Sequence, residues 1–193
     1  MLNKVLNKEL KELIKILEQL SEFSADIDLI IGELINCLKS GKKILICGNG
    51  GSEAEANHLA AEFIVRLKPS NNRKAIPIIS LSQNTSVLTA CGNDLGFENI
   101  FSRSLEAFAN QGDVLLSLST SGESLNVIKA LKLAKEKKIK TISFLGHNGG
   151  KAKSLSDLKI VIPSEDVARV QECHLFLGHH IFSEVEKKII KNI

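Results

Sequence analysis

From Lys43 onward, short and almost uninterrupted apolar runs alternate with helical stretches, and no other feature of the chain restricts its fold as strongly. The runs are Ile44–Cys47, Ile76–Leu81, Val114–Ser119, Thr141–Leu145 and Lys159–Ile162. Runs of this kind suit strands covered on both faces, the condition of a parallel sheet. Between them, helical patterns are predicted at about 53–66, 86–91 with 98–109, 124–137 and 151–156, and a long last helix at 167–191. Strands alternating with helices imply right-handed βαβ units wound on both sides of one sheet. Ahead of them, Leu2, Leu6, Leu10, Leu13, Leu17 and Leu20 recur at spacings of three and four, and Ile27, Ile30, Ile31, Leu34, Ile35 and Leu38 form a second stripe. The chain therefore reads as one domain over 1–193, with N-terminal helices over 1–40 and an α/β core over 41–193. The leading stripes must be buried, either on the same domain or in a contact between subunits.

Composition removes several classes of function. A net charge of +3 over 193 residues offers no concentrated basic patch for nucleic acid. Lys4, Lys8, Glu9, Lys11 and Glu12 interrupt the N-terminal leucines, so no signal peptide is expected, and no apolar run is long enough for a bilayer. Cys37, Cys47, Cys91 and Cys173 are scattered without a C-x-x-C pair, as expected of buried thiols in a reducing compartment. A cytoplasmic location follows as the expectation. With no Trp or Tyr, a sugar would have to be read through hydrogen bonds and charge, not aromatic stacking.

In doubly wound sheets ligands bind beyond the carboxyl ends of the strands. There stands Gly48-Asn49-Gly50-Gly51-Ser52, between the first strand and a helix. Consecutive glycines allow close backbone approach, and the helix amides favour an anion. The dinucleotide pattern G-x-G-x-x-G is not met, because position 53 is Glu, so a monophosphate or sugar is the favoured ligand. After the third strand comes Ser119-Thr120-Ser121-Gly122-Glu123-Ser124, whose four hydroxyls exceed what capping one helix needs. Hydroxyls and backbone amides together can surround a phosphate.

Two helical faces add titratable groups. His58 and Glu62, four apart, share a face of the helix after the glycine turn. Alone, such a pair is more often a surface hydrogen bond than a site. On the last helix His179 falls about 80° from Gln171, whereas His180 falls about 180° away and His174 about 140° from His179. Gln171 can thus share a broad face with His179 but not with His180.

At these residues the chain resembles a known family. GNGGSEAEANHLAAE, GNDLGF, STSGESLNVIKA and RVQECHLFLGHH are similar to the motifs of bacterial phosphoheptose isomerases, members of the sugar-isomerase (SIS) superfamily. The resemblance covers nearly the whole chain. It implies a flavodoxin-like three-layer domain with a five-stranded parallel sheet. It further implies a homotetramer with active sites between subunits, and interconversion of sedoheptulose 7-phosphate with glycero-manno-heptose 7-phosphate for lipopolysaccharide-core heptose. By the same resemblance Asn49, Gly50, Gly51, Ser52, Asn93, Asp94 and Gln171 contact the sugar, and Ser119, Thr120, Ser121 and Ser124 hold the phosphate. Glu62, also at the substrate, forms the acid/base pair with His179. One zinc ion per subunit would take His58, Glu62, Gln171 and His179. The chain departs from the pattern at Ala168, where some relatives carry a polar residue, and at Glu53 and Glu55, which replace smaller or less acidic neighbours. Relatives of this fold that attach to the replication initiator lack the histidine matching His179, which here favours an enzyme.

The expected chemistry is an aldose–ketose exchange through an enediol. Glu62 would take the C1 proton of the ketose while His179 moves protons at the oxygens, or the two roles are reversed.

Overall fold

The computed structural model describes residues 2–190; the expected end of the last helix at Lys191 lies outside the described residues. Five strands form one sheet in the order β2-β1-β3-β4-β5, all neighbours parallel. They are β1 (Ile44–Gly48), β2 (Ile78–Ser80), β3 (Val114–Ser119), β4 (Lys140–Leu145) and β5 (Leu158–Val161). Every residue of β1 and β3 is buried, whereas the edge strands β2 and β5 are short and partly covered. That gradient explains why the central runs are the most continuously apolar.

Helices cover both faces. On one side lie α1 (Leu2–Gln19), a 3-10 turn (Leu20–Phe23), α2 (Ser24–Lys39), α3 (Gly51–Ile64) and α8 (Val167–Ile190), packed on Ile44, Ile46, Val114, Leu116, Ile142 and Phe144. On the other lie α4 (Thr85–Asp94), α5 (Ile100–Phe108), α6 (Leu125–Glu136) and the single turn α7 (Ala152–Leu155), packed on Leu45, Cys47, Leu115 and Leu145. Alternate strand residues thus feed two separate cores, the three-layer arrangement expected.

The first two helices answer the sequence differently. Ile27, Ile30, Ile31, Leu34 and Ile35 of α2 are buried in the domain. In α1 only the end is: Ile16 is buried, while Val5, Leu6, Leu10 and Ile14 are 45–63% exposed.

Boundaries moved where backbone chemistry intervened. The strand predicted from residue 76 begins at Ile78, because Pro77 has no N–H for the ladder. The helix predicted at 86–91 runs from Thr85 to Asp94, capped by Asn84, whose side chain accepts from the amides of Ser86 and Val87 at 3.1 and 3.2 Å. The helix predicted from residue 53 starts at Gly51. The four cysteines are free and buried. No described helix is long and apolar enough to cross a membrane.

Candidate active site

The strand order reverses direction between β1 and β3, where the crevice of a doubly wound sheet opens. Gly48 and Leu118 are register partners there, so the glycine turn and the hydroxyl loop leave the sheet side by side. Gly50 has φ +56°, which a side chain rarely adopts, and its carbonyl accepts the amides of Glu53 and Ala54 to begin α3. The two loops are fastened by a reciprocal amide pair: Asn49 Nδ2 donates to Asn126 Oδ1 at 2.9 Å, and Asn126 Nδ2 donates to Asn49 Oδ1 at 2.8 Å. Asn126 is buried and its Oδ1 also accepts from the Val127 amide.

The hydroxyl loop folds on itself. Ser119 Oγ accepts from the Gly122 amide at 3.1 Å, and Ser121 Oγ from the Glu123 amide at 3.2 Å. Gly122 (φ +66°) lies so close to Gly149 that a β-carbon would collide with the Gly149 carbonyl. The loop after β4 therefore braces it, helped by Lys151, which donates to Glu123 from both its amide (2.9 Å) and Nζ (2.7 Å). Ser124 occupies the N-cap of α6 yet makes no side-chain cap bond, which leaves its hydroxyl uncommitted.

Below these loops α3 and α8 lie against each other and run the same way. A β-carbon on Gly51 would collide with the Gln171 amide, one on Gly178 would meet Leu59 at 2.6 Å, and the Phe63 and Phe182 rings stack at 3.7 Å. In this seam the Nε2 atoms of His58 and His179 are 2.8 Å apart, and Glu62 Oε1 lies 3.8 Å from His58 Nε2. The seam thus unites His58, Glu62 and His179, residues 121 positions apart at the extremes of that contact. Partial burial pulls the His179 pKa below the usual histidine range, the His58 ring adds to the effect, and the Glu62 carboxylate opposes it. One turn earlier on α3, burial pushes the Glu55 carboxyl up to about 7, and its Oε2 has no partner.

The other α8 histidines go elsewhere. His174 is completely buried with Nε2 donating to the Leu145 carbonyl at 3.2 Å, and burial drives its pKa down to about 4. His180 borders a cleft with Leu17, Leu20, Ile27 and Phe176 at the N-terminal helices.

Three of the expected site residues stand apart from the acid/base cluster. Gln171 lies over Gly51, not beside His179: eight residues of helix separate the two by about 12 Å of rise. Asn93 donates to Asp94 Oδ1 at 2.7 Å, and both are exposed at the far end of α4. Asp94 borders a cleft with Val87, Ala90, Cys91, Leu95 and Arg103, none of them from the switch point. Sequence reasoning passed over Asn126, although it stands two residues after the hydroxyl motif, and Arg73, a loop residue for which no sequence signal exists.

Two imidazoles and a carboxylate are donors that suit zinc. Their arrangement is that of a hydrogen-bonded group: nitrogens on a tetrahedral zinc would sit about 3.3 Å apart, wider than the 2.8 Å found. Among the described residues no three His, Cys, Asp or Glu side chains are already disposed as a metal cage. The chemistry of the donors fits an ion; a modest opening of the two rings, and movement of Gln171, would be needed to enclose one.

A parallel sheet with a glycine turn, a hydroxyl loop and a His/Glu cluster at its switch point defines a sugar-phosphate-type α/β domain, and the SIS domain family model matches residues 10–146. The chain is 48% identical to the phosphoheptose isomerase of Clostridium acetobutylicum, over 87% of this chain and 85% of that protein. It is similar in structure to the phosphoheptose isomerase of Neisseria gonorrhoeae (TM-score 0.89, 34% identity, 96% and 99% of the two chains). The enzyme of that name from Francisella tularensis gives a TM-score of 0.92 at 28% identity, over 97% and 99%. The chain belongs to the phosphoheptose isomerase family of SIS domain enzymes.

Proposed function

We propose that the chain is the isomerase that converts sedoheptulose 7-phosphate to D-glycero-D-manno-heptose 7-phosphate, in heptose biosynthesis for lipopolysaccharide core or a related polymer. The observation that carries this reading is the meeting of Glu62, His58 and His179 in the α3–α8 seam, beneath a hydroxyl loop in which Ser124 makes no cap bond. The relatives named phosphoheptose isomerase support a phosphorylated heptose as the substrate.

The phosphoryl group lies among Ser119, Thr120, Ser121 and Ser124 and the amides of their loop, which fixes one end of the sugar. Asn49, Gly50, Gly51, Ser52 and Gln171 bind the chain of hydroxyls. The Glu62 carboxylate removes a proton from C1 of the ketose while the C2 carbonyl oxygen gains one, giving the enediol. Return of a proton to C2 and loss of the O1 proton give the aldose, with no net gain or loss. His179 Nε2 moves protons between O1 and O2, and His58 holds that ring by sharing one proton with it.

Zinc, one ion per subunit, would be held by His58, Glu62 and His179 with Gln171 as a fourth ligand, and would supply polarisation of a carbonyl oxygen. A Glu62 engaged on metal is a weaker base, so the two roles compete.

A homotetramer with sites shared between subunits agrees with two features. The apolar stripe of α1 is left uncovered on the single chain. Asn93 and Asp94 lie away from their own seam and are available to a neighbouring copy's sugar. A cytoplasmic location accords with free cysteines and the absence, among the described residues, of a membrane-length helix.

The deciding experiment incubates purified protein with sedoheptulose 7-phosphate, with and without a chelator, and follows the aldose. Binding without any aldose in either condition would refute the isomerase reading.

A further inference from the structure

Among the described residues, the most completely buried ion pair joins the two helices that carry the acid/base residues. Arg73 comes from the loop after α3, and its side chain is 2% exposed; Glu186, on α8, is 0% exposed. Arg73 Nε donates to Glu186 Oε1 at 2.5 Å, and Asn71 Nδ2 donates to Glu186 Oε2 at 2.6 Å. The other guanidinium nitrogens turn to the end of α3. Nη1 donates to the carbonyls of Phe63 (2.9 Å) and Lys74 (3.0 Å), and Nη2 to the carbonyl of Glu62 (3.0 Å). Carbonyls in the last turn of a helix have no partner within it, so these bonds complete the helix.

Two geometrical facts give the cluster a consequence for the reaction. Glu186 lies seven residues after His179, within about 20° of it around the helix, and so continues the stripe that faces α3. The carbonyl that Nη2 engages belongs to Glu62 itself. One planar side chain therefore bonds the backbone of the residue proposed as base and, two turns further on, the helix that carries the residue proposed as its partner. Two other contacts of the seam, Leu59 against Gly178 and Phe63 against Phe182, are apolar and non-directional. Apart from the His58–His179 hydrogen bond between the reacting groups themselves, the guanidinium supplies directional bonds, among the described residues, that fix how far α3 slides and turns on α8. A lysine could keep the charge but could not donate in the plane to three carbonyls and a carboxylate.

We propose that Arg73 and Glu186 are positioning residues for the isomerisation, a buried clamp that sets where Glu62 and His58 stand relative to His179 without touching the sugar. This rests on the reading of the chain as a heptose-phosphate isomerase. Displacement of reacting groups by about 1 Å can cost about a hundredfold in rate, while ground-state binding of the distal phosphate is unaffected.

The test uses two variants, because removing one partner alone strands a buried charge. Arg73→Met with Glu186→Leu replaces the pair by apolar groups of similar volume, an exchange that buried ion pairs often tolerate. Arg73→Lys keeps the charge and loses the fork. Each is measured for melting temperature, kcat and KM with sedoheptulose 7-phosphate, and the 1H–15N signals of the His179 ring. The expected result is a folded protein with kcat lowered about a hundredfold in the double variant and at least about tenfold in Arg73→Lys, KM within about threefold, and displaced His179 signals. If the double variant does not fold, Arg73→Lys decides by the same criteria. A folded variant with wild-type kcat, or a rise in KM alone, overturns the clamp. Wild-type protein without isomerase activity would refute the functional reading instead, and the His179 signals would still decide the clamp.

Discussion

His58 and His179 face each other through their Nε2 atoms at 2.8 Å. At that distance one nitrogen must carry the proton and the other accept it, so the two rings hold one proton between them and cannot both be cationic. The His58 ring is one of the causes that lower the His179 pKa, with burial the larger. In His58→Leu the His179 pKa is therefore expected to rise toward the ordinary histidine range, and kcat to fall. An NMR titration of the His179 ring in chelator-treated protein checks this; an unchanged or lower value contradicts the arrangement.

Glu62→Gln preserves shape and removes the base. Turnover is expected to drop by at least about a thousandfold, the upper part of what a general base contributes with allowance for its second role. Binding of the sugar phosphate, followed by calorimetry, should persist. Appreciable turnover in this variant would exclude Glu62 as the base.

Ser124 separates capping from ligand binding. An N-cap serine replaced by alanine ordinarily costs about 1 kcal/mol, but Ser124 makes no cap bond. Ser124→Ala is thus expected to unfold within about 0.5 kcal/mol of wild type while KM rises about tenfold, the loss of one hydrogen bond to a charged group. Urea titration and initial rates measure the two quantities.

Asn126→Leu removes both bonds of the reciprocal pair and leaves the Asn49 amide unpaired. A cost of about 2 kcal/mol is expected. KM should rise as well, since this pair holds the glycine turn against the hydroxyl loop. A change in stability without any change in KM would mean that the two loops are positioned independently.

His174 makes the fold sensitive to acid. Its native pKa is about 4 against 6.5 for an exposed ring, so between these values the unfolded chain binds a proton that the native protein does not. Its contribution is complete above about pH 6.5 and is lost as pH falls toward 4, amounting to about 3 kcal/mol. His174→Leu should flatten this part of the stability curve. The Leu145 carbonyl keeps a partner in that variant, because it also accepts the Ile162 amide. Denaturant midpoints at several pH values test the difference.

The sheet was legible because its strands leave five apolar runs, whereas alternation with helices does not set the strand order, for which only the family resemblance implied a flavodoxin-like arrangement. Its ends were less so: Pro77 shortened β2 by lacking a donor and Asn84 lengthened α4 by accepting two amides on its side chain, local hydrogen-bond effects that hydrophobic periodicity does not register. The histidines of α8 illustrate a deeper limit of helical-wheel reasoning. An angle of about 80° allowed Gln171 and His179 to share a face, yet the helix also advances, and the glutamine meets Gly51 while the histidine meets His58. Arg73 was invisible because its partners beyond the neighbouring Lys74 come from two separated stretches of chain, at Glu62–Phe63 and at Glu186.

The common direction of α3 and α8 turns the seam into a ruler. Gly51 and Gln171 stand at its upper end, and His58 and His179 about 10 and about 12 Å further along their axes. On the proposed function, a sugar anchored at the hydroxyl loop and passing Gly51 and Gln171 must span that interval before its carbonyl meets the acid/base cluster. Carbon count is then measured by helix pitch, and a pentose 5-phosphate held at the same loops should occupy the site as a competitor while its carbonyl stops short of reaction.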